Sequence, residues 1–124
     1  MTSTILVVDD TAQNVKLLAD VLTAKGYRAV TAASGAQALA AIEREHPDLV
    51  LLDVVMPEMS GYEVCRKIRD NPATAMLPVV MVTALDPAQE RVKGIDAGAD
   101  DFLTKPINLR EFLAAVDGAV AGPR

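Results

Sequence analysis

Five short apolar runs punctuate the chain, and every interval between them carries apolar residues at helical spacing; few architectures satisfy both patterns at once. Three runs, ILVV at 5–8, DLVLL at 48–52 and PVVMV at 78–82, show no apolar/polar alternation, so both of their faces must be covered. YRAVTA at 27–32 is weaker, and DFLT at 101–104 is short, set between a Gly-Ala-Asp turn and a proline. All five are predicted strands.

Between them, Val15, Leu18, Ala19 and Leu22 follow the i, i+3, i+4, i+7 rule, and Gly26 stops that helix. Gly61, Val64, Cys65 and Ile68 repeat the spacing before Asn71-Pro72, as do Leu109, Phe112, Leu113 and Val116. Weaker stripes over Ala36–Glu45 and Pro87–Ala97 fill the remaining intervals. The order βαβαβαβαβα with right-handed crossovers predicts a parallel sheet covered on both sides, a doubly wound sandwich.

The length, 124 residues, suits a single domain over 1–124, with the closing AGPR expected to be a frayed end or a cut toward a further segment. Twelve basic residues against seventeen acidic ones, a net charge of −5 and the lack of a basic block argue against direct nucleic-acid binding. Acids interrupt the apolar runs far short of a bilayer's thickness, and no secretory signal is visible, so no membrane contact and a cytoplasmic location are expected. The lone Cys65 fits a reducing compartment and a place in the core.

What ends the strands is polar: Asp9 and Asp10 after the first, Asp53 after the third, Thr83 after the fourth, Lys105 after the fifth. Open α/β sheets bind ligands at this carboxyl edge. Should the first and third strands be neighbours, three carboxylates converge there, and they cannot all stay ionised without a cation. Mg²⁺, with Mn²⁺ as a substitute, suits an all-oxygen set, and acids with one hydroxyl and one lysine suit phosphoryl transfer. No His or Cys stands at these strand ends, which argues against zinc. Each residue alone has a plainer reading: Asp9 and Asp10 as turn or cap residues, Thr83 as a strand-end cap, Lys105 as a solvated side chain. Arg66, Lys67 and Arg69 read as a solvated helix face, and His46 as part of a surface turn before Pro47.

VVDD, LLDVVMP, VTA and TKP, in that order, resemble the receiver domain of bacterial two-component response regulators over nearly the whole chain. The resemblance implies a flavodoxin-like (βα)5 sandwich with a parallel five-stranded sheet of order 2-1-3-4-5. It implies that Asp53 accepts a phosphoryl group from a histidine kinase or a histidine phosphotransfer protein. Asp10, Asp53 and the backbone carbonyl of Val55 would bind Mg²⁺ directly and Asp9 through water. Thr83 and the N–H of Ala84 would hold phosphoryl oxygens, Lys105 would pair with them, and the Lys105–Pro106 bond would be cis. Phosphorylation would draw Thr83 in and let Phe102 turn inward, biasing the face of the fourth helix, fifth strand and fifth helix toward a downstream protein target or output domain. A static packing role for Phe102 and a homodimer formed on phosphorylation are open alternatives. The segments VCRKIRDNPATAMLPVVMVTALD and GADDFLTKP look closest to receivers of cell-cycle regulators, including those preceding diguanylate cyclase domains; no cyclase lies in this chain.

Such a module is a switch that catalyses only its own phosphoryl transfer and dephosphorylation. Val55, two residues after the acceptor, offers an attacking water no hydrogen bond, so slow self-dephosphorylation is expected. An aspartate-nucleophile phosphohydrolase would need DxDx[TV] after the first strand, which VVDDTAQN lacks. A flavodoxin-like electron carrier would need a phosphate-binding loop there, and this loop is acidic. A scaffold that has lost phosphorylation is disfavoured, because every key position is filled.

Overall fold

In the computed structural model, which describes residues 2–84 and 87–121, each apolar run is a strand and each periodic stripe a helix. The order is β1 (Thr4–Val8), α1 (Ala12–Ala24), β2 (Arg28–Ala32), α2 (Gly35–Glu45), β3 (Leu49–Asp53), α3 (Gly61–Asp70), β4 (Val79–Thr83), α4 (Pro87–Ala97), β5 (Asp101–Thr104) and α5 (Leu109–Ala121). Leu85 and Asp86 of the VTALD segment, and the tail beyond Ala121, lie outside the described residues.

The sheet order is the expected 2-1-3-4-5, and all four pairings are parallel. The strand side-chain period of two splits the core between the faces. Leu6, Val8, Val50, Leu52, Met81 and Phe102 pack with residues of α2, α3 and α4. Ile5, Val7, Leu49, Leu51 and Val80 pack with Leu18 and Leu22 of α1 and Phe112 and Val116 of α5. Cys65 is fully buried in the first cluster, as its stripe predicts.

Local chemistry sets the helix ends. Ser34 and Ser60 cap α2 and α3 by accepting from the N–H groups of Gln37 and Glu63. Gly26, at φ 92°, follows α1, and Tyr27 N–H returns to the Leu22 carbonyl, closing the turn that only a left-handed residue allows. His46 lies exposed at the α2 C-cap at φ 48°, in the turn expected for it. At the amino edge of the sheet, Asp48 accepts from Thr4 N–H and Asp100 from Val79 N–H, each at 2.8 Å.

Arg69 departs from expectation. Its side chain is half-buried and fully engaged: it donates to the carbonyls of Gly98, Ala75 and Leu77 and pairs with Asp100 at 2.8 Å. The guanidinium has enough donors to serve two loops at once, which an isolated helix-face reading cannot anticipate. Arg66 and Lys67 are exposed, as expected.

Candidate functional site

With β1 and β3 adjacent, their ends bring Asp9, Asp10 and Asp53 together: one carboxylate oxygen from each lies within 4.8 Å of the others. Asp9 and Asp53 are buried, at 3% and 6% exposure, while Asp10 is exposed, so the cluster opens to solvent on one side. Asp9 is held most firmly. Its Oδ1 accepts from the N–H of Thr11, the N-cap of α1, at 2.8 Å, satisfying one of the helix-start donors that have no partner within the helix. Its Oδ2 accepts from Asn14 Nδ2 at 3.3 Å and from Lys105 Nζ at 3.1 Å.

Lys105 also lies 3.5 Å from Asp53 Oδ1, and its backbone N–H donates to the Thr83 carbonyl at 2.7 Å, fixing the ammonium between the two acids. Burial works to lower its pKa, but the Asp9 hydrogen bond and the charges of Asp53 and Asp9 outweigh it and hold the ammonium above its usual value. Burial, reinforced by the Asp9 charge, pushes the Asp53 carboxyl up from its ordinary 3.8 to about 6, against the opposing pull of Lys105 and the Val55 N–H. Three carboxylates facing one ammonium leave two negative charges uncompensated, and the oxygen-only donor set matches a hard divalent cation. This acidic pocket could hold a metal ion.

The remaining predicted residues surround it. Thr83 is fully buried at the end of β4, and Ala84 follows it, exposed. Lys105–Pro106 is a cis peptide bond. Val55 is 55% exposed, and its N–H bonds to the Asp53 carboxylate. Phe102 stands farther off, at 8% exposure in the core cluster with Met81. Beside the site lies an open cleft of about 620 Å³, lined in part by Asp9, Asn14, Leu17, Ala84 and Lys105. Asn14 was not among the sequence candidates; its only signal is its place in the first turn after the paired acids.

Known proteins share this arrangement of sequence and fold. A family model of the response regulator receiver domain matches residues 5–117. The response regulator PleD of Caulobacter vibrioides is 53% identical over 108 residues, 87% of this chain and 24% of PleD. The alkaline phosphatase synthesis transcriptional regulatory protein PhoP of Bacillus subtilis is 44% identical over 116 residues, 94% of this chain and 48% of PhoP. This chain thus spans about a quarter of one of those relatives and about half of the other. The crystal structure of a putative response regulator from Chloroflexus aurantiacus superposes with a TM-score of 0.94 at 36% identity, covering 98% of this chain and 100% of that one. Sequence, topology and the acidic edge agree, and the chain belongs to the response regulator receiver domain family, the phosphoacceptor modules of two-component signalling.

Proposed function

We propose that Asp53 is the phosphoacceptor, that the chain forms a single receiver domain over 1–124, and that Asp9 and Asp10 hold the Mg²⁺ under which Asp53 works. The observation that carries this reading is the convergence of three carboxylates with Lys105 at one sheet edge. Mg²⁺, or Mn²⁺ in its place, would supply positive charge for the phosphoryl oxygens, bound by Asp10, Asp53 and the Val55 carbonyl directly and by Asp9 through water.

A carboxylate oxygen of Asp53 attacks the phosphorus of a phosphohistidine on a histidine kinase or histidine phosphotransfer protein. The P–N bond breaks, its electron pair stays on the imidazole, and an O–P bond makes Asp53 an acyl phosphate. The Lys105 ammonium swings from the carboxylates to a phosphoryl oxygen, while the Thr83 hydroxyl and the Ala84 N–H donate to others. The cleft beside Asp9 and Lys105 gives the partner's histidine a route in.

The phosphoryl group then biases a two-state element. Phe102 already lies inward, so phosphorylation shifts the population toward this arrangement as Thr83 is drawn in. The face of α4, β5 and α5, where Val92 and Ile95 are exposed, transmits the change to a downstream target, an output domain or a second copy of the chain.

The test is incubation with Mg²⁺ and acetyl phosphate. The expected result is an acid-stable, base-labile mass gain of one phosphoryl group that Asp53→Ala abolishes. Absence of labelling by acetyl phosphate and by a panel of histidine kinases would overturn the reading.

A further inference from the structure

Gly61 opens α3, and its N–H donates to the Val54 carbonyl at 2.9 Å, folding the loop after β3 back onto the strand end. The helix backbone therefore lies against the peptide that follows the acceptor. A Cβ at position 61 would stand 2.4 Å from the carbonyl oxygen of Asp53, 2.9 Å from Cα of Val54 and 3.1 Å from the carbonyl carbon of Asp53. These are main-chain atoms, which cannot rotate aside as a side chain can. They are also pinned from beyond: Asp53 pairs with Val82 across the sheet, and Val54 N–H donates to the Val82 carbonyl at 3.2 Å. Among the described glycines only Gly26 and Gly98 have positive φ, so position 61 demands space and not an unusual backbone conformation.

Gly35 makes the comparison. It too is the first residue of a buried helix start, but the three atoms nearest a Cβ there all belong to side chains: Met59 Sδ and Val64 Cγ2 at 2.9 Å and Met59 Cβ at 3.0 Å. Crowding at 35 strains packing; crowding at 61 displaces the acceptor's own peptide.

We propose that Gly61 is a positioning residue for the acceptor, its missing side chain letting α3 brace the Asp53–Val54 peptide and so fixing Asp53 and Val55 relative to Asp9 and Asp10. This rests on the reading that those acids hold Mg²⁺. The experiment compares thermal melts of wild type, Gly61→Ala and Gly35→Ala in EDTA and across a Mg²⁺ titration, with acetyl phosphate labelling at saturating Mg²⁺. Ligand linkage raises the wild-type Tm with Mg²⁺. Gly61→Ala is expected to bind Mg²⁺ at least about tenfold more weakly, the scale at which groups supporting metal ligands act, with a smaller Mg²⁺-induced rise in Tm and slower labelling. Gly35→Ala is expected to melt lower in EDTA yet keep the wild-type rise and affinity.

A wild-type response in Gly61→Ala, or an equal loss in Gly35→Ala, would overturn the proposal while leaving the metal reading intact. A wild-type protein that ignores Mg²⁺ would overturn that reading and this one with it. Should Gly61→Ala fail to fold, the wild-type amides decide by NMR. The Gly61 amide must shift through the Mg²⁺ titration with the midpoint of the Asp53 and Val55 amides while Gly35 stays still, and a motionless Gly61 amide would overturn the proposal.

Discussion

Val55 presents an exposed isopropyl group two residues past Asp53, the carboxylate proposed to carry the phosphoryl group that water would hydrolyse. Its side chain has no donor or acceptor, so it neither orients that water nor takes its proton. Val55→Asn is therefore expected to speed loss of the phosphoryl group several-fold, followed as decay of the labelled mass after acetyl phosphate is removed; an unchanged decay rate would count against this role. The acids were legible because a charge inside or directly after an apolar run is costly to bury unpartnered, which makes Asp53 in LVLLDVVM conspicuous. Asn14 and Gly61 were not. Asn14 acquires its role only through the turn that brings Asp9 Oδ2 to 3.3 Å, and Gly61 read as one more small residue on a helix stripe. What each of them does depends on a neighbour that sequence spacing does not reveal.

Among the elements, β3 and β4 were the plainest strands because every residue in them is buried, whereas β2 and β5 close the sheet's edges, expose part of their length and have diluted patterns. The same tertiary logic hid Arg69. From α3 it holds the loop before β4 through Ala75 and Leu77 and the turn after α4 through Gly98, partners that adjoin only once the sheet is complete. At Gly98, with φ 99°, an added Cβ would lie 2.8 Å from Arg69 Cγ, so turn and clamp are fitted to each other. Arg69→Ala leaves carbonyls without their donor and Asp100 without its cation. The expected cost is about 2–3 kcal/mol in urea denaturation, the scale of hydrogen bonds from a charged donor. Arg66→Ala on the exposed side of α3 should cost nearly nothing, and equal effects would refute the clamp.

For the molecule as a whole, the active edge stores an electrostatic debt. The Asp53 carboxyl titrates at about 6 in the fold against an ordinary 3.8, so the folded state holds that proton more tightly than the unfolded chain. A raised carboxyl pKa gives stability that is present at low pH and lost as pH rises from 3.8 to about 6. The full penalty above that window is on the order of 3 kcal/mol. Without divalent cations, Asp53→Asn is expected to be more stable than wild type above pH 6, with the advantage vanishing near pH 4, and Mg²⁺ should narrow the gap at neutral pH. Urea denaturation across that range checks both signs. The opposite rim of the sheet sets this apart. A parallel sheet begins all its strands along one rim and ends them along the other, so amide hydrogens are offered at the first and carbonyl oxygens at the second. Asp48 and Asp100 at the first rim find donors in the Thr4 and Val79 amides and serve as structural acceptors. Asp9 and Asp53 at the second draw amides only from the loops beyond the strands, at Thr11 and Val55, and share one ammonium with exposed Asp10 beside them, so their demand for positive charge is left open on the solvent side. Strand direction sorts the same residue type into mortar at one end and appetite at the other.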